Sequence, residues 1–205
     1  MNLSELKKQY SVVIVGSGLA GLYGALNFPE DIDILMLSKK ERHQSNSSLA
    51  QGGVACVLDL ENDSYDLHIE DTLIAGGRAN DIDAVTQLVE EGPGDVLRTI
   101  DYGVEYDRDE NGELIKTLEG GHCRRRIVHH KDTTGAEMVR AMVLEAQKRP
   151  NITIVENTPV FKLTRVKSGI CAHILTPDGQ GEIFASYCVL ATGGIGRVYK
   201  YTTNP

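Results

Sequence analysis

Gly16, Gly18 and Gly21 follow the spacing Gly-x-Gly-x-x-Gly, directly after the β-branched run Ser11 to Val15 and before an Ala- and Leu-rich stretch that ends ahead of Pro29. Glycines so placed handle phosphate through the backbone. The first permits a tight turn, the second lets the main chain approach a pyrophosphate, and the third lets a helix pack on its strand. The helix N-terminus then offers unpaired N–H groups and a partial positive charge to the phosphates. Gly16, Ser17, Gly18, Leu19, Ala20 and Gly21 are therefore candidate pyrophosphate contacts. The bare motif also occurs in ordinary loops, and it is the flanking strand and helix that favour a dinucleotide site.

Other residues carry weaker signals. The second apolar run, Ile32 to Leu37, ends in Ser38-Lys39 and not in the acid that holds an adenosine ribose, which argues against a simple NAD enzyme. Ser38 or Lys39 could meet the ribose or a phosphate, although Lys39 alone reads equally as a solvated lysine. The small-residue loop Asn46 to Ala55 could supply backbone donors to a flat ring. Glu119, His122, the basic run Arg124-Arg125-Arg126 and the pair His129-His130 are titratable candidates. Taken alone, each reads more simply as a surface or structural residue, and the histidines lack partners at metal-ligand spacing. Cys56, Cys123, Cys171 and Cys188 form no Cys-x-x-Cys pair, so free thiols are expected and no metal site.

The elements that must position these residues follow from periodicity. Strand, turn, helix and a second strand after Pro29-Glu30-Asp31 give a βαβ unit, with the continuous apolar run of the second strand suited to a parallel sheet covered on both faces. Helices are expected over Ser64 to Ala75, Ala84 to Glu91 and Val96 to Tyr102, with Gly92 and Gly103 as stops. Thr134-Gly135-Ala136-Glu137 matches a capping box, and the stripe Met138, Met142 and Ala146 continues a helix to about Arg149, before Pro150. Ile152 to Val155, Val160 to Val166, Cys171 to Leu175 and Ile183 to Thr192 read as strands, with Pro177-Asp178-Gly179 as a hairpin turn.

Composition narrows the function class. The 205 residues are 41% hydrophobic, enough for one real core. A net charge of −8 argues against sequence-independent nucleic-acid binding. No apolar run approaches the ~20 residues needed to cross a bilayer, and Met1 to Tyr10 lack the apolar segment of a signal peptide. A small-molecule function in the cytoplasm is the expectation.

Five ordered segments resemble one family. Besides the glycine fingerprint, Ala50-Gln51-Gly52-Gly53 is similar to the flavin loop of the succinate dehydrogenase, fumarate reductase and L-aspartate oxidase superfamily. Glu119-Gly120-Gly121-His122 with Arg126-Ile127 resembles a segment of the L-aspartate oxidases, and Asp132-Thr133-Thr134-Gly135 resembles the superfamily's Asp-x-Thr-Gly. Leu190-Ala191-Thr192-Gly193-Gly194 with Tyr201-Thr202-Thr203-Asn204-Pro205 resembles the late flavin strand and its exit. Two positions favour the oxidases. Succinate dehydrogenases and fumarate reductases place a flavin-linking histidine four residues before the alanine of the loop, where this chain has Asn46, with His43 out of register by three. They also usually lack an acid at the position of Glu119.

The resemblance implies an α/β fold: a Rossmann-like FAD-binding domain over residues 1–205 with a parallel central sheet, a βαβ unit at the amino terminus and an additional antiparallel β segment. It implies FAD bound without a covalent link, with Gly16, Ser17, Gly18, Leu19, Ala20 and Gly21 at the pyrophosphate and Lys39 near the adenosine half. Asn46, Ser47, Ser48, Leu49, Ala50, Gln51, Gly52 and Gly53 would run along the flavin, with Thr192 and Gly193 completing its floor. Val160 resembles a position whose backbone meets the adenine, though a core β-branched residue explains it equally well. The implied reaction is oxidation of L-aspartate to iminosuccinate, with oxygen or fumarate as acceptor and a functional link to quinolinate synthase in NAD biosynthesis. Glu119 would hold the aspartate ammonium. The capping domain and carboxy-terminal helical domain of the family, with its dicarboxylate-clamping Arg and His residues, are expected to lie outside these 205 residues, leaving the isolated chain inactive. A soluble fumarate reductase-type enzyme and a non-catalytic flavin-binding fragment are the alternatives.

Overall fold

The computed structural model describes residues 5–41, 44–196 and 198–202. In chain order the elements are β1 (Gln9–Val15), α1 (Leu19–Asn27), β2 (Ile34–Leu37), β3 (Val54–Ala55), α2 (Tyr65–Ala75), α3 (Ile82–Asp101), β4 (Lys116–Thr117), β5 (Ile127–Val128), α4 (Thr134–Lys148), β6 (Ile152–Val155), β7 (Val160–Val166), β8 (Gly169–Thr176) and β9 (Gly179–Leu190). They form two compact units, residues 1–49 with 139–205, and residues 50–138.

The first unit is built on a six-stranded sheet in the order β6-β2-β1-β9-β8-β7. The strands β6, β2, β1 and β9 are parallel, and β8 and β7 continue the sheet antiparallel. All four residues of β2 are buried, as a strand covered on both faces requires. One core packs Val13, Leu35, Leu37 and Val155 with Ala172, Ile174, Ile183 and Ala185. Each large aliphatic chain buried there contributes about 1.5–3 kcal/mol. Helix α1 packs on β1 and β2 and buries Leu22, Ala25 and Leu26. The 12 residues of β9 serve two neighbours: its first half pairs with β8 and its second half with β1. Pro177 and Asp178 connect β8 to β9, and Gly179 takes φ +120° at the start of the return strand.

In the second unit Ser64 caps α2 by accepting the Leu67 N–H at 3.2 Å. Asp81 caps α3, accepting from Asp83 and Ala84. The expected stop at Gly92 does not occur: α3 runs unbroken for 20 residues through Gly92-Pro93-Gly94. The reason lies in the stripe Val85, Val89, Pro93 and Val96, all buried at helical spacing, so packing outweighs the cost of a mid-helix proline. Gly103 does end the helix. At φ +90° it donates to Ile100 O at 2.8 Å while Val104 donates to Thr99 O at 3.0 Å, the paired bonds of a Schellman motif.

A small antiparallel sheet, β3-β5-β4, completes this unit. Its two-residue strands lie in loops with no alternating pattern, and sequence periodicity does not foretell them. At the start of α4, Thr134 Oγ1 accepts the His130 N–H and Glu137 accepts the Glu105 N–H, both at 3.0 Å. Thr134 and Glu137 thus tie the helix start to preceding loops. All four cysteines are free.

Candidate functional site

A cleft of about 510 Å³ opens in the first unit beside the carboxyl ends of β1, β2 and β9. It lies where the chain order leaves β1 toward β2 on one side and toward β9 on the other, the switch point at which open α/β sheets bind ligands. Its lining includes Gly16, Ser17, Gly18, Leu19, Ala20, Lys39, Asn46, Ser47, Val160, Thr192 and Gly193. These sequence candidates come from five separate segments. Sequence reasoning missed Lys40, Glu41, Gln44 and Ser45, which also line it. Their only available signal was nearness to Lys39 and Asn46.

The glycines act at close approach. A Cβ on Gly16, whose φ is +114°, would lie 2.2 Å from Ala191 O. One on Gly21 would lie 2.1 Å from Gly16 O, so this glycine seats α1 against the turn behind the cleft. Gly18 is the N-cap of α1 with extended backbone. A Cβ there would meet only Ser47 Oγ, at 3.0 Å. Ser47 Oγ in turn accepts the Leu19 N–H at 3.0 Å, joining the helix start to the Asn46–Ser47 segment. At the end of β2, buried Ser38 donates its hydroxyl to Lys40 O at 2.7 Å, while Lys39 is exposed.

Ser48 and Leu49 do not line this cleft. Ser48 Oγ donates to Ser45 O at 2.8 Å, and Leu49 is 58% exposed. The chain enters the second unit at Ala50, so the remaining loop candidates Ala50 to Gly53 belong there. Ala50 O accepts the Gly135 N–H at 3.0 Å, which joins two of the sequence motifs. Gly53 has no room for a side chain: a Cβ would lie 2.4 Å from both Ile127 Cγ2 and Val128 O. β3 begins at Val54 and pairs with β5, which also pairs with β4. Glu119 follows β4 by two residues, and its Oε2 lies 3.8 Å from the Cβ position of Gly52. The small sheet thus brings the exposed carboxylate of Glu119 beside the Gln51-Gly52-Gly53 loop.

The basic run divides by role. Arg125 is exposed, and Arg124 donates Nε–H to Asn62 O. Arg126 is fully buried. It grips Asp63 in a fork, Nε to Oδ2 at 2.8 Å and Nη2 to Oδ1 at 2.7 Å, and donates Nη1–H to Asp71 Oδ2 at 2.6 Å. Burial alone would raise both carboxyls, but the Arg126 hydrogen bonds and charge, with backbone N–H groups of Ser64 and Cys123, hold them below the usual range. His122 Nδ1 lies 3.3 Å from Arg126 Nη1. Arginine cannot accept, so in a hydrogen bond between them Nδ1 is the acceptor. His68 lies near His122 with the rings tilted and their centroids 5.5 Å apart, and its Nδ1 is buried without a hydrogen-bond partner among the described residues. Burial, then the neighbouring Arg126 charge, push its pKa down. Asp63 and Asp71 carried no sequence signal.

His129 Nδ1 pairs with Asp107 Oδ2 at 3.1 Å, and His130 Nδ1 meets Glu105 O. Among the described residues one Cys/His/acid group has ligand atoms within 4.8 Å, Cys171, His173 and Glu182 on the β8–β9 hairpin. His173 already faces Glu182 across the strands at 3.3 Å and Thr164 at 2.9 Å, the contacts of an ordinary cross-strand pair. No helix among the described residues is long and apolar enough to cross a membrane. Arg42, His43 and Thr203 to Pro205 lie outside the described residues.

A largely parallel sheet with a glycine-lined cleft at its strand ends defines a dinucleotide-binding protein, and the close backbone at Gly16 and Gly18 with the α1 N-terminus fits a pyrophosphate. Residues 11–205 match the FAD binding domain family; the chain belongs to that family, and FAD is its cofactor. It is similar to the L-aspartate oxidase of Clostridium perfringens, at 42% identity over 200 residues covering 97% of this chain and 45% of that protein. The L-aspartate oxidase of Pseudomonas aeruginosa is 41% identical over 213 residues, covering 96% of this chain and 39% of that protein. The chain therefore spans less than half the length of these relatives. Among solved structures, Sdh1 of Mycobacterium smegmatis superposes with a TM-score of 0.89 at 26% identity, covering 96% of this chain and 36% of that one. A variant of the E. coli quinol fumarate reductase FrdA gives 0.89 at 27%, covering 96% and 34%.

Proposed function

We propose that this chain carries the FAD-binding part of an oxidoreductase that converts L-aspartate to iminosuccinate, with oxygen or fumarate as the acceptor. The reaction takes a hydride from the α-carbon and a proton from the nitrogen, leaving a C=N bond. Bound FAD supplies the two-electron acceptor. The protein's share is binding and orientation. In this reading the Gly16–Gly21 turn and the N-terminus of α1 face the pyrophosphate, Lys39 and Val160 flank the adenosine half, and Asn46 to Gly53 with Thr192 and Gly193 serve the flavin. Asn46, standing where a histidine would be needed for covalent attachment, leaves the flavin non-covalent. The imine product reacts with water, which suits a cytoplasmic link to an enzyme such as quinolinate synthase that consumes it.

The observation that carries the reading is the carboxylate of Glu119 beside Gly52 of the flavin-loop motif. L-aspartate differs from succinate by an ammonium, so selecting aspartate calls for a carboxylate at that nitrogen. A charge-assisted hydrogen bond contributes about 1.5–3 kcal/mol, or roughly 10- to 150-fold in a rate or equilibrium ratio. Glu119→Gln in the FAD-loaded enzyme should therefore lower kcat/KM for aspartate by about that factor. Binding of succinate, which Glu119 repels, should hold or improve. Equal weakening of both ligands would show that Glu119 shapes the loop instead of reading the substrate. The likeness to Sdh1 and FrdA keeps a second reading, a fumarate reductase-type flavoenzyme, which aspartate would not reduce.

A further inference from the structure

We propose that Asp71 and Arg126 are positioning residues for Glu119, acting through the turn that follows it; the inference rests on the reading of Glu119 given above. Glu119 opens a tight turn closed by the His122 N–H on Glu119 O at 3.2 Å, with Gly121 at φ +86°. Left to itself such an exposed glycine-rich turn would sample many conformations. Its far end is held by a buried charge cluster. Asp71 Oδ2 accepts both the Cys123 N–H at 2.8 Å and Arg126 Nη1 at 2.6 Å, and the same Nη1 meets His122 Nδ1 at 3.3 Å. Asp71 stands on α2, and the backbone of Arg126 accepts the Cys56 N–H at the entry to β5, so both anchors sit on fixed elements. The turn is clamped at two successive residues, His122 and Cys123, within four residues of the carboxylate it presents.

The Asp63 fork already pairs the Arg126 charge in a desolvated setting. Asp71 adds a second carboxylate that bridges Arg126 and the end of the turn at Cys123. Removing it leaves Arg126 paired with Asp63 while freeing the turn.

The test uses the FAD-loaded enzyme with Asp71→Ala, Asp71→Asn and Glu119→Gln, singly and combined. Asp71→Ala should raise amide hydrogen exchange at residues 120–123 by about 10-fold, with the rest of α2 unchanged. It should lower kcat/KM for L-aspartate by about 10-fold while leaving the succinate inhibition constant within about 2-fold, since a displaced Glu119 costs only the ammonium contact. On the Glu119→Gln background the same change should add less than about 2-fold. Asp71→Asn, whose single amide oxygen can still accept both N–H groups, should restore most of the loss. Unchanged exchange in Asp71→Ala overturns the clamp, and additive losses or equal loss for both ligands overturn the positioning role. A Glu119→Gln single variant with full aspartate activity overturns the reading of Glu119 itself, and this inference with it.

Discussion

Gly16 and Gly18 stand two residues apart, and the structure assigns them different penalties when a methyl is added. At Gly16 the new Cβ would lie 2.2 Å from Ala191 O, a backbone atom that cannot rotate away, on a residue at φ +114°. Overpacking of that kind costs about 1–3 kcal/mol, and a left-handed conformation adds about 1–2. Gly16→Ala should therefore lower Tm by roughly 4 °C or more, with or without cofactor. Gly18 has ordinary extended backbone, φ −73° and ψ −179°, and its Cβ would meet only Ser47 Oγ. The side chain can turn aside at the loss of one hydrogen bond to Leu19, about 1 kcal/mol and about 2–4 °C. In the proposed site the added methyl and the displaced Ser47 side chain would crowd a phosphate at the start of α1. Losing one charge-assisted contact there raises the FAD Kd by roughly 10- to 150-fold. The assay is thermal unfolding of the apoprotein together with FAD titration by flavin fluorescence quenching. A wild-type FAD affinity in Gly18→Ala would refute the assignment of this cleft to the pyrophosphate, and an unchanged Tm in Gly16→Ala would refute the close packing of Gly16 against Ala191.

Acid precipitation of the purified flavoprotein should release all its FAD into the supernatant, because Asn46 cannot form the histidine link; flavin fluorescence in the washed pellet would contradict this. The second unit should lose stability as pH falls from 7 toward 5.5. His68, with its pKa depressed by burial and the Arg126 charge, takes up a proton less readily when folded, whereas the unfolded chain takes one up below about 6.5. Asp63 and Asp71 act lower: their depressed pKa values stabilise the fold above about 4, and that share is lost as pH falls through the folded values. His68→Gln should flatten the slope between pH 5.5 and about 6.5 in thermal unfolding curves, and an unchanged slope would assign it to another group.

Much of this fold was legible because the first unit obeys simple periodicities. The run Ser11 to Val15, the glycine turn and Ile32 to Leu37 became β1, α1 and β2 with ends shifted by two residues or fewer at most boundaries. Pro177-Asp178-Gly179 marked a hairpin. The second unit was harder to read, for physical reasons. Pro93 between two glycines looks like a break, and only the tertiary burial of Val89, Pro93 and Val96 keeps α3 whole. Strands of two residues have no period, so β3, β4 and β5 emerge only from pairing. The same holds for the site. Gly16 to Gly21 announce themselves by spacing, and Glu119 by resemblance. Asp63 and Asp71, 63 and 55 residues from Arg126 in sequence, become partners only once the chain has folded.

The most direct test of the central claim is an anaerobic titration of the FAD-loaded enzyme with L-aspartate, following the flavin absorbance. The flavin band should bleach with aspartate, Glu119→Gln should require far more of it, and succinate should leave the band in place. A flavin that succinate reduces and aspartate does not would contradict it.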